Sequence, residues 1–334
     1  MEEVMPKAAI IIPNWNGKDR LKQCLGAVKS QSFKDFETIV VDNGSTDGSV
    51  EFLKNHSWVK VVALDKNYGF AGGVNAGIKT AQAEYVALLN NDAIPAADWL
   101  EKLVASLESH PEVGAVTSKI LNSRKGRKGL IDSTGDYQSI WGLPFPRGRD
   151  EKDEGQYDDK LEVFGVSGGA SLYRYSMLKK IGLFDERFFA YFEDVDLSFR
   201  AQLAGYKNRY CPEAVVFHEI GATSGGHRTA FTRYHSAKNL YYLSLKNMPG
   251  FLLLKYFPLI TSSLLLSFIS SFKHGFLMVH LKALGAVLVC LPGILYDRWR
   301  IQRGRKVSAS YIDGILFHGM PPEPKRMLKS YKPF

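Results

Sequence analysis

The sequence predicts an α/β protein in which a mainly parallel sheet is flanked by helices and followed by a helical C-terminal extension. Two observations lead to this prediction. In the first third of the 334 residues, short apolar runs alternate with segments of helical periodicity, a pattern typical of parallel strands joined by helical crossovers. In the last quarter, long apolar stretches precede a basic tail, so that region differs in composition from the sheet.

The elements of the predicted sheet follow one another closely. Each of the first four apolar runs ends at a polar or glycine-rich loop, and such strand ends are where ligands bind in open α/β sheets. A fifth strand is expected at 113–117. The predicted strands are 8–13, 37–41, 59–64 and 85–89, and the predicted helices are 21–30, 49–55, 71–81 and 98–109.

Composition changes near Asn122, where this alternation stops. Residues 123–129 are basic and glycine-rich, and residues 147–160 are dense in charge. Because neither segment can build a hydrophobic core, we predict two exposed loops. Apolar sequence returns afterwards, with a run at 163–173, helical patterns at 176–181 and 195–204, and strand patterns at 207–211 and 214–218.

The charge of the chain is concentrated at its C-terminal end. The formal net charge is +9, and residues 298–332 carry nine Lys or Arg against two Asp or Glu. The three cysteines lie far apart and form neither a disulfide framework nor a metal-binding pair, which favours a reducing compartment. Residues 1–7 lack the apolar core of a signal peptide, so we expect a cytoplasmic protein.

Two apolar stretches precede the tail. Residues 251–272 are about as long as a membrane-spanning helix, but Lys255 and Pro258 interrupt them, and Pro292 interrupts residues 276–295. We therefore predict helices that associate peripherally with the inner face of the cell membrane, where the basic tail meets an anionic surface. The alternative is a pair of core helices with a solvated basic end. No nucleic acid partner is expected.

Polar residues follow the first two strands. Residues 12–17, Ile-Pro-Asn-Trp-Asn-Gly, place an amide and an aromatic ring where a planar base could stack, although they could equally form a turn that opens a helix. Asp42 ends the second strand too early to cap the next helix, so its carboxylate is available to a base N–H or to ribose hydroxyls. Ser45 or Asp47 is expected to cap that helix.

A glycine-rich loop, residues 67–77, follows the third strand. Its glycines would let a ligand approach the backbone closely, and it opens a helix whose N-terminus attracts phosphate. Such loops are often only tight turns. The spacing is not GxGxxG and does not follow the first strand, which argues against a nicotinamide-dependent oxidoreductase.

The fourth strand ends at Asn90, Asn91 and Asp92. A carboxylate at a strand end suggests a divalent cation, and a cation there suggests a phosphorylated substrate. The alternative is an Asx turn ahead of Pro95. His218, at the end of a later apolar run, would add an imidazole to such a site, although a lone histidine is more often structural.

An acidic cluster, Glu193, Asp194 and Asp196, opens a predicted helix behind four aromatic residues. The helix dipole alone favours acidic residues in a first turn. Because the dipole does not account for the aromatic approach, the pattern also suggests a general base in an apolar-lined cleft.

In order and spacing, these motifs resemble inverting family 2 glycosyltransferases of the GT-A fold, particularly the bacterial rhamnosyltransferase-like branch. The resemblance covers about residues 8–240. It is carried by residues 13–17, 41–47, 67–77, 88–92, 184–186 and 193–196, together with His218.

The resemblance implies a hexosyltransferase that uses a nucleotide-diphosphate sugar donor, with rhamnose on deoxythymidine diphosphate favoured, and a glycan or lipid-linked acceptor. Inversion, Mg2+ or Mn2+, and a role in cell-envelope polysaccharide synthesis are implied with it. The nucleotide-sugar-binding half would be residues 1–122, the acceptor and catalytic half 123–240, and the apolar helices with the basic tail 241–334. The oligomeric state is not predicted.

Residue by residue, Asp194 matches the catalytic base of the family, with Glu193 beside it. Asp92 matches the last residue of the metal motif, whose first acidic position is Asn90 here, and His218 matches a histidine that can join the metal. The implied donor-binding residues are Pro13, Asn14, Asn16, Asp42, Asn67, Gly69, Gly72, Gly73, Asn75, Asn90 and Asn91. Those implied near the sugar and acceptor are Gly168, Gly169 and Trp141.

Three other functions compete with this one. An oxidoreductase on a doubly wound sheet would need the missing GxGxxG after the first strand. A sugar-phosphate nucleotidyltransferase would need a basic glycine-rich loop there, where only Lys18 and Arg20 stand. A noncatalytic membrane or polyanion-binding protein would leave Asp92, Asp194 and the glycine loop without a role.

Overall fold

The computed structural model describes residues 5–219, 229–322 and 324–325. Within those residues, ten strands form one mixed sheet, and two more form a separate hairpin, β8–β9. The strands are β1 (Ala8–Asn14), β2 (Phe36–Asp42), β3 (Val59–Ala63), β4 (Tyr85–Leu89), β5 (Ala93–Pro95), β6 (Val113–Asn122), β7 (Ile131–Ser133), β8 (Asp136–Gln138), β9 (Pro144–Pro146), β10 (Glu162–Val163), β11 (Ala170–Arg174) and β12 (Lys207–His218).

The four strands predicted at the start of the chain form the parallel half of the sheet, in the order β4-β1-β2-β3. In β1, β2 and β4 the apolar residues are mostly buried because helices cover both faces, which is why these strands read as continuous apolar runs. Strand β3 lies at the end of the sheet and leaves Val61 exposed. The register pairs Asn14 with Asp42 at the last step of β1 and β2, so both side chains emerge at the same edge.

The other half of the sheet is mixed. Strand β11 lies antiparallel between β4 and β6, and β12 runs parallel to β6. The two strand patterns predicted near residue 210 are one strand, because an irregularity between Cys211 and Val215 interrupts the alternation without ending the pairing. Strand β5, which has three residues and pairs Ala93 with His218, was not predicted from the sequence.

Helices on the two faces of the sheet enclose two hydrophobic clusters, one under α1 and α4 and the other under α3, α5 and α6. Every helix predicted before residue 210 is present. The helices are α1 (Lys18–Lys29), α2 (Ser49–Leu53), α3 (Gly69–Thr80), α4 (Trp99–Glu108), α5 (Tyr175–Ile181), α6 (Glu193–Leu203), α7 (Ala230–Asn247), α8 (Gly250–Lys255), α9 (Phe257–Lys273), α10 (Leu277–Arg303) and α11 (Ala309–Ile315).

A third hydrophobic cluster joins the C-terminal helices to α6. The predicted apolar stretch 251–272 is two helices, α8 and α9, which meet at Tyr256, whereas α10 continues through Pro292. Among the described residues, one helix, α10, is long enough and apolar enough to cross a membrane. In the most apolar 18-residue segment of α10, 22% is buried inside the protein. The end of the basic tail, residues 326–334, lies outside the described residues.

The two predicted loops differ from each other. Residues 123–129 are exposed, as predicted. The prediction for 147–160 is wrong at its first residue, because Arg147 is buried. Its guanidinium donates to the carbonyls of Thr134 and Lys160 at 2.8 and 2.7 Å, which satisfies the buried charge through its planar donors.

Candidate active site

The ends of β1, β2 and β4 meet in a group of buried, hydrogen-bonded polar side chains. Asn14 Nδ2 donates to Asp42 Oδ2 at 3.1 Å, and Asn14 Oδ1 accepts from Asn91 Nδ2 at 2.7 Å. The other oxygen of Asp42 accepts from the backbone N–H of Ser45 at 2.9 Å. The sequence position of Asp42 suggested a free carboxylate. In the structure both of its oxygens accept hydrogen bonds, because the turn at Ser45 folds back onto it.

The loop after β1 packs against the loop after β2. Asn16, with a positive φ of 49°, accepts from the backbone N–H of Thr46 through its Oδ1 at 2.8 Å. The prediction that Ser45 or Asp47 caps α2 is wrong, because the N-cap is Gly48 and no side chain makes a capping bond there. Asp47 lies one residue earlier, and its Oδ1 accepts from the N–H of Ser49 at 3.1 Å. Trp15 stays 41% exposed, which leaves its indole available for stacking.

The glycine-rich loop packs on Asn43 and on Phe189. Asn43 Nδ2 donates to Asn67 Oδ1 at 3.1 Å and to the carbonyl of Gly69 at 2.8 Å. Gly69 has a φ of +75°, and a Cβ there would lie 2.3 Å from the carbonyl oxygen of Phe189. Glycine is required at this position for packing against the segment that precedes α6.

The rest of this loop serves packing in the same way. A Cβ on Gly72 would lie 2.7 Å from Tyr68 Cβ, and one on Gly73 would lie 3.1 Å from the Asn43 amide. The Asn75 side chain donates to the Phe184 carbonyl at 2.8 Å and accepts from the Phe184 N–H at 3.0 Å. The structure thus uses Asn75 to hold α3 against the chain before α6.

Backbone hydrogen bonds join the end of β4 to the acidic cluster. The N–H of Asn90 donates to the carbonyl of Gly169 at 2.9 Å. The N–H of Gly168 donates to Asp194 Oδ2 at 2.9 Å. The two glycines implied at the acceptor side therefore lie between a residue implied at the donor side and the implied base.

Asp92 and His218 lie together, with two further residues behind them. His218 Nε2 is 3.0 Å from Asp92 Oδ1, and His218 Nδ1 is 2.8 Å from Asp132 Oδ2. Arg149 donates to the other oxygen of Asp132 at 2.6 Å. The pairing of β5 with β12 produces this arrangement, because it sets His218 beside the residues that follow Asp92.

The charges in this cluster compensate one another. Burial favours the neutral imidazole, but hydrogen bonds to Asp132 and Asp92 outweigh it and raise the pKa of His218 to about 10. Burial also opposes ionisation of Asp132, yet the hydrogen bond from His218 and the charge of Arg149 hold its pKa below the usual value. Both carboxylates thus face a cationic or donor group.

A second carboxyl cluster, Asp136, Glu193 and Asp194, forms no ion pair among the described residues, and only the charge of Arg149 opposes the raised pKa of Asp136. Burial, and then the charge of Asp194, raises the pKa of Asp136 to about 8. Burial and Asp194 raise the pKa of Glu193 well above its usual value, and among the described residues its Oε2 finds no hydrogen-bond partner. Burial raises the pKa of Asp194 as well, although the N–H groups of Gly168 and Val195 oppose it.

Three residues of these clusters were not predicted from the sequence, namely Asp132, Asp136 and Arg149. Asp132 lies on β7 and Asp136 on β8, each only three residues long, so no alternating pattern marked them. Arg149 was assigned to a charged exposed loop. Trp141 lies elsewhere, beside α9, where its carbonyl accepts from Ser263 at 2.7 Å.

The residues present fit a divalent cation only with help from a ligand. No group of three or more His, Cys, Asp or Glu that could hold a metal occurs among the described residues. Asp92 would supply one hard oxygen, and His218 an imidazole once the cation has displaced its proton, a combination suited to Mn2+, with Asp132 orienting the ring from behind. The remaining positions would be filled by phosphate oxygens and water.

Comparison with known proteins bears out this fold and places the chain in a family. The chain is similar to the poly-beta-1,6-N-acetyl-D-glucosamine synthase of Staphylococcus epidermidis, at 29% identity over 223 residues, which are 65% of this chain and 51% of that protein. The chain thus spans about half the length of the curated relatives it matches.

Two solved structures share the fold at low sequence identity. The mannosyltransferase PcManGT from Pyrobaculum calidifontis, in complex with GDP-Man and Mn2+, has a TM-score of 0.54 at 18% identity and covers 90% of this chain and 85% of its own. GalNAc-T7 with UDP, GalNAc and Mn2+ has a TM-score of 0.60 at 15% identity, over 75% and 49%. The predicted GT-A type of fold is confirmed. The family model described as Glycosyl transferase family 2 matches residues 9–182, just over half of the chain, and the chain belongs to that family.

Proposed function

We propose that this protein transfers a sugar from a nucleotide-diphosphate donor to a hydroxyl of a glycan or lipid-linked acceptor, with inversion and with Asp194 as the base. The observation that carries the proposal is the position of Asp194. It accepts from Gly168 N–H at 2.9 Å, next to the glycine that pairs with Asn90 at the donor edge. Family membership favours this function over an oxidoreductase or a nucleotidyltransferase.

The edge of the sheet where β1, β2 and β4 end is suited to binding the nucleotide of the donor. The buried pair Asn14 and Asp42 fixes the ends of β1 and β2, and the exposed Trp15 offers a ring for stacking. The solved relatives that contain UDP or GDP-Man support a nucleotide-sugar donor. Asn67 and Gly69 form the adjoining loop, where the N-terminus of α3 would face the diphosphate.

Asp92 and His218 would hold Mg2+ or Mn2+, and the Mn2+ in both solved relatives supports this. When bound, the ion neutralises charge that develops on the diphosphate leaving group. Asp132 keeps the imidazole oriented, and Arg149 balances the charge of Asp132.

Asp194 removes the proton from the acceptor hydroxyl as that oxygen attacks the anomeric carbon from the side opposite the leaving group. One attack of this kind inverts the anomeric configuration and needs no covalent intermediate. The carboxylate oxygens of Asp194 accept from the N–H groups of Gly168 and Val195, which fixes the direction of their lone pairs. A raised pKa brings the carboxylate closer to the operating pH, where general-base catalysis is most effective.

In this proposal the transferred sugar is a hexose, and the acceptor takes part in cell-envelope polysaccharide synthesis. The staphylococcal relative is named for N-acetylglucosamine polymer synthesis, and the resemblance to the rhamnosyltransferase-like branch favours rhamnose, so both donors belong in the first screen. A basic loop with Arg124, Lys125 and Arg127 borders a cavity of about 550 Å³ next to Glu219, the residue after His218. That loop supports an acceptor that bears phosphate.

Association with the cytoplasmic face of a membrane is part of the proposal. Large apolar side chains on α8 and α10 face outward, including Leu254 at 77% and Val289 at 82% exposure. Near the end of α10, Arg298, Arg303 and Trp299 line a cavity of about 690 Å³. An apolar face beside guanidinium and indole groups suits the interface between acyl chains and anionic headgroups.

A thermal-shift panel tests the transfer function. UDP, GDP and deoxythymidine diphosphate, and their GlcNAc, mannose and rhamnose sugars, would each be added with Mg2+, Mn2+ or EDTA. We expect one base to raise the melting temperature, with the shift lost in EDTA, because a ligand stabilises the folded state it binds. No shift with any nucleotide, or turnover undiminished by excess EDTA, would contradict the donor and metal assignments respectively.

Vesicle sedimentation tests the membrane proposal. Truncation at Met248 would uncover the third hydrophobic cluster, so point variants are the better tool. We expect Leu254→Glu with Val289→Glu to reduce sedimentation with anionic vesicles, whereas Val61→Glu, on exposed β3, should not. Equal sedimentation of all variants would show that α8 and α10 do not contact the membrane.

A further inference from the structure

The backbone just before the acidic cluster lies in an unusual conformation. Phe189, Tyr191 and Phe192 have positive φ angles of 66, 72 and 68°. Bulky residues rarely adopt positive φ angles, and they keep such a conformation only when the surrounding structure holds them in it. Since Phe192 directly precedes α6, whatever holds this run also sets the position of Asp194.

One buried side chain of α7 holds this run by its carbonyl groups. Asn239 Nδ2 lies 3.0 Å from the carbonyl oxygen of Phe188, 2.9 Å from that of Ala190 and 2.7 Å from that of Tyr191. Asn239 is 0% exposed. Each of these three carbonyls belongs to the residue directly before one with a positive φ, and all three are directed at one amide.

Neighbouring residues on the same face of α7 add to this contact. Lys238 Nζ donates to the carbonyl of Arg187 at 2.5 Å. The ring of His235 stacks on Phe189, with centroids 5.0 Å apart and planes 17° apart. Further along α7, Lys246 reaches Asp196 at 3.0 Å, two residues after the base. Helix α7 therefore contacts the catalytic segment before and after Asp194.

We propose that Asn239 is a positioning residue for Asp194, acting by holding residues 188–192 in the conformation that starts α6 with the base directed at Gly168. This inference rests on the proposed role of Asp194 as the base. Helix α7 also packs on α10, where Arg298 donates to the carbonyls of Leu245 and Met248 at 2.8 and 2.7 Å. The apolar C-terminal helix and the catalytic segment are thus connected through one helix.

Asn239→Ala and a matched control, Asn208→Ala, test the proposal. Asn208 is equally buried, and its amide also donates to backbone carbonyls, those of Phe164 and Ser198. In both residues Oδ1 has no partner among the described residues. Both variants should therefore lose similar thermal stability, and a milder variant, Asn239→Ser, keeps the test usable if Asn239→Ala folds poorly.

Hydrogen–deuterium exchange of the full chain gives a readout that general destabilisation would not produce. We expect amides of 188–195 to exchange at least about 10-fold faster in Asn239→Ala, by less in Asn239→Ser, and at the wild-type rate in Asn208→Ala. A nucleotide sugar that raises the melting temperature would serve as the donor for kinetics. With it, kcat should fall about 100-fold in Asn239→Ala, as expected for a misplaced catalytic group. The affinity of the protein for the corresponding nucleotide diphosphate should change little.

Unchanged exchange in 188–195 for both Asn239 variants, or an equal kcat loss in Asn208→Ala, would overturn the proposal. The two inferences can fail separately. If the segment exchanges faster in Asn239→Ala but Asp194→Asn keeps full turnover, the role of the base is wrong and the contact stands. If Asp194→Asn is inactive and exchange does not change, the positioning role is wrong.

Discussion

Two carboxyl clusters lie at the same edge of the sheet, and their surroundings are opposite. Asp92 and Asp132 flank His218, and Arg149 completes that cluster, so each negative charge has a cationic or donor partner. Within the part of the chain that the structure describes, Asp136, Glu193 and Asp194 form no ion pair, and burial raises the pKa of all three, opposed at Asp136 only by the charge of Arg149.

The difference shows how one residue type is prepared for two tasks. A compensated carboxylate keeps its charge, as the lowered pKa of Asp132 indicates, and is suited to orienting a ligand of a cation. An uncompensated, buried carboxyl group binds a proton more tightly, which is what a base that must accept one requires. Environment, not residue identity, assigns the roles.

The largest expected effect comes from Asp194→Asn. Removing the base should reduce kcat by roughly 100- to 10,000-fold, while nucleotide binding in the thermal-shift assay stays within error. Asp159→Asn, at an exposed position, is the matched control and should leave kcat unchanged. Turnover by Asp194→Asn within a few-fold of wild type would show that the uncompensated cluster does not supply the base.

An intermediate effect is expected from Asp132→Asn, in the compensated cluster. Losing the carboxylate that orients His218 should weaken Mn2+ binding, measured by calorimetry in the presence of the nucleotide diphosphate, by about 10- to 100-fold. Asp136→Asn is the control, because it belongs to the uncompensated cluster and should not change Mn2+ affinity. Equal losses in the two variants would mean that the clusters act as one site.

A third prediction concerns the stability of the folded protein and its dependence on pH. The pKa of Asp136 in the folded state is about 8, above its unfolded value, so its contribution to stability is complete below about pH 4 and is lost as pH rises through about 8. Asp136→Asn cannot ionise and should gain stability over wild type at pH 9 but not at pH 4. Each unit of pKa difference corresponds to about 1.4 kcal/mol.

Urea unfolding at both pH values, with no nucleotide or metal added, measures this difference. Asp159→Asn should follow the wild-type pH profile. A parallel dependence on pH in wild type and Asp136→Asn would show that Asp136 is not held protonated in the folded protein, and the two clusters would then differ less than their contacts indicate.

Much of the fold follows from local sequence, whereas much of the site does not. Apolar runs and the polar residues that end them, such as Asn14, Asp42 and Asp92, identify β1, β2 and β4 and their loops. The short strands β5, β7 and β8 carry no periodic signal, and so Asp132 and Asp136 were missed. Asn239 lies in a helix with no motif that pointed to the base.

Local periodicity and motif spacing in the amino-acid sequence are enough to predict the order of strands and helices, the polar residues at the strand ends and the family to which the chain belongs. Which charges are compensated depends on contacts between residues far apart in the chain. His218 meets Asp132 across 86 positions of the chain, and Asn239 meets Tyr191 across 48. Burial and such distant partners set the pKa of a carboxyl group and the conformation of a loop, and neither is encoded in neighbouring residues.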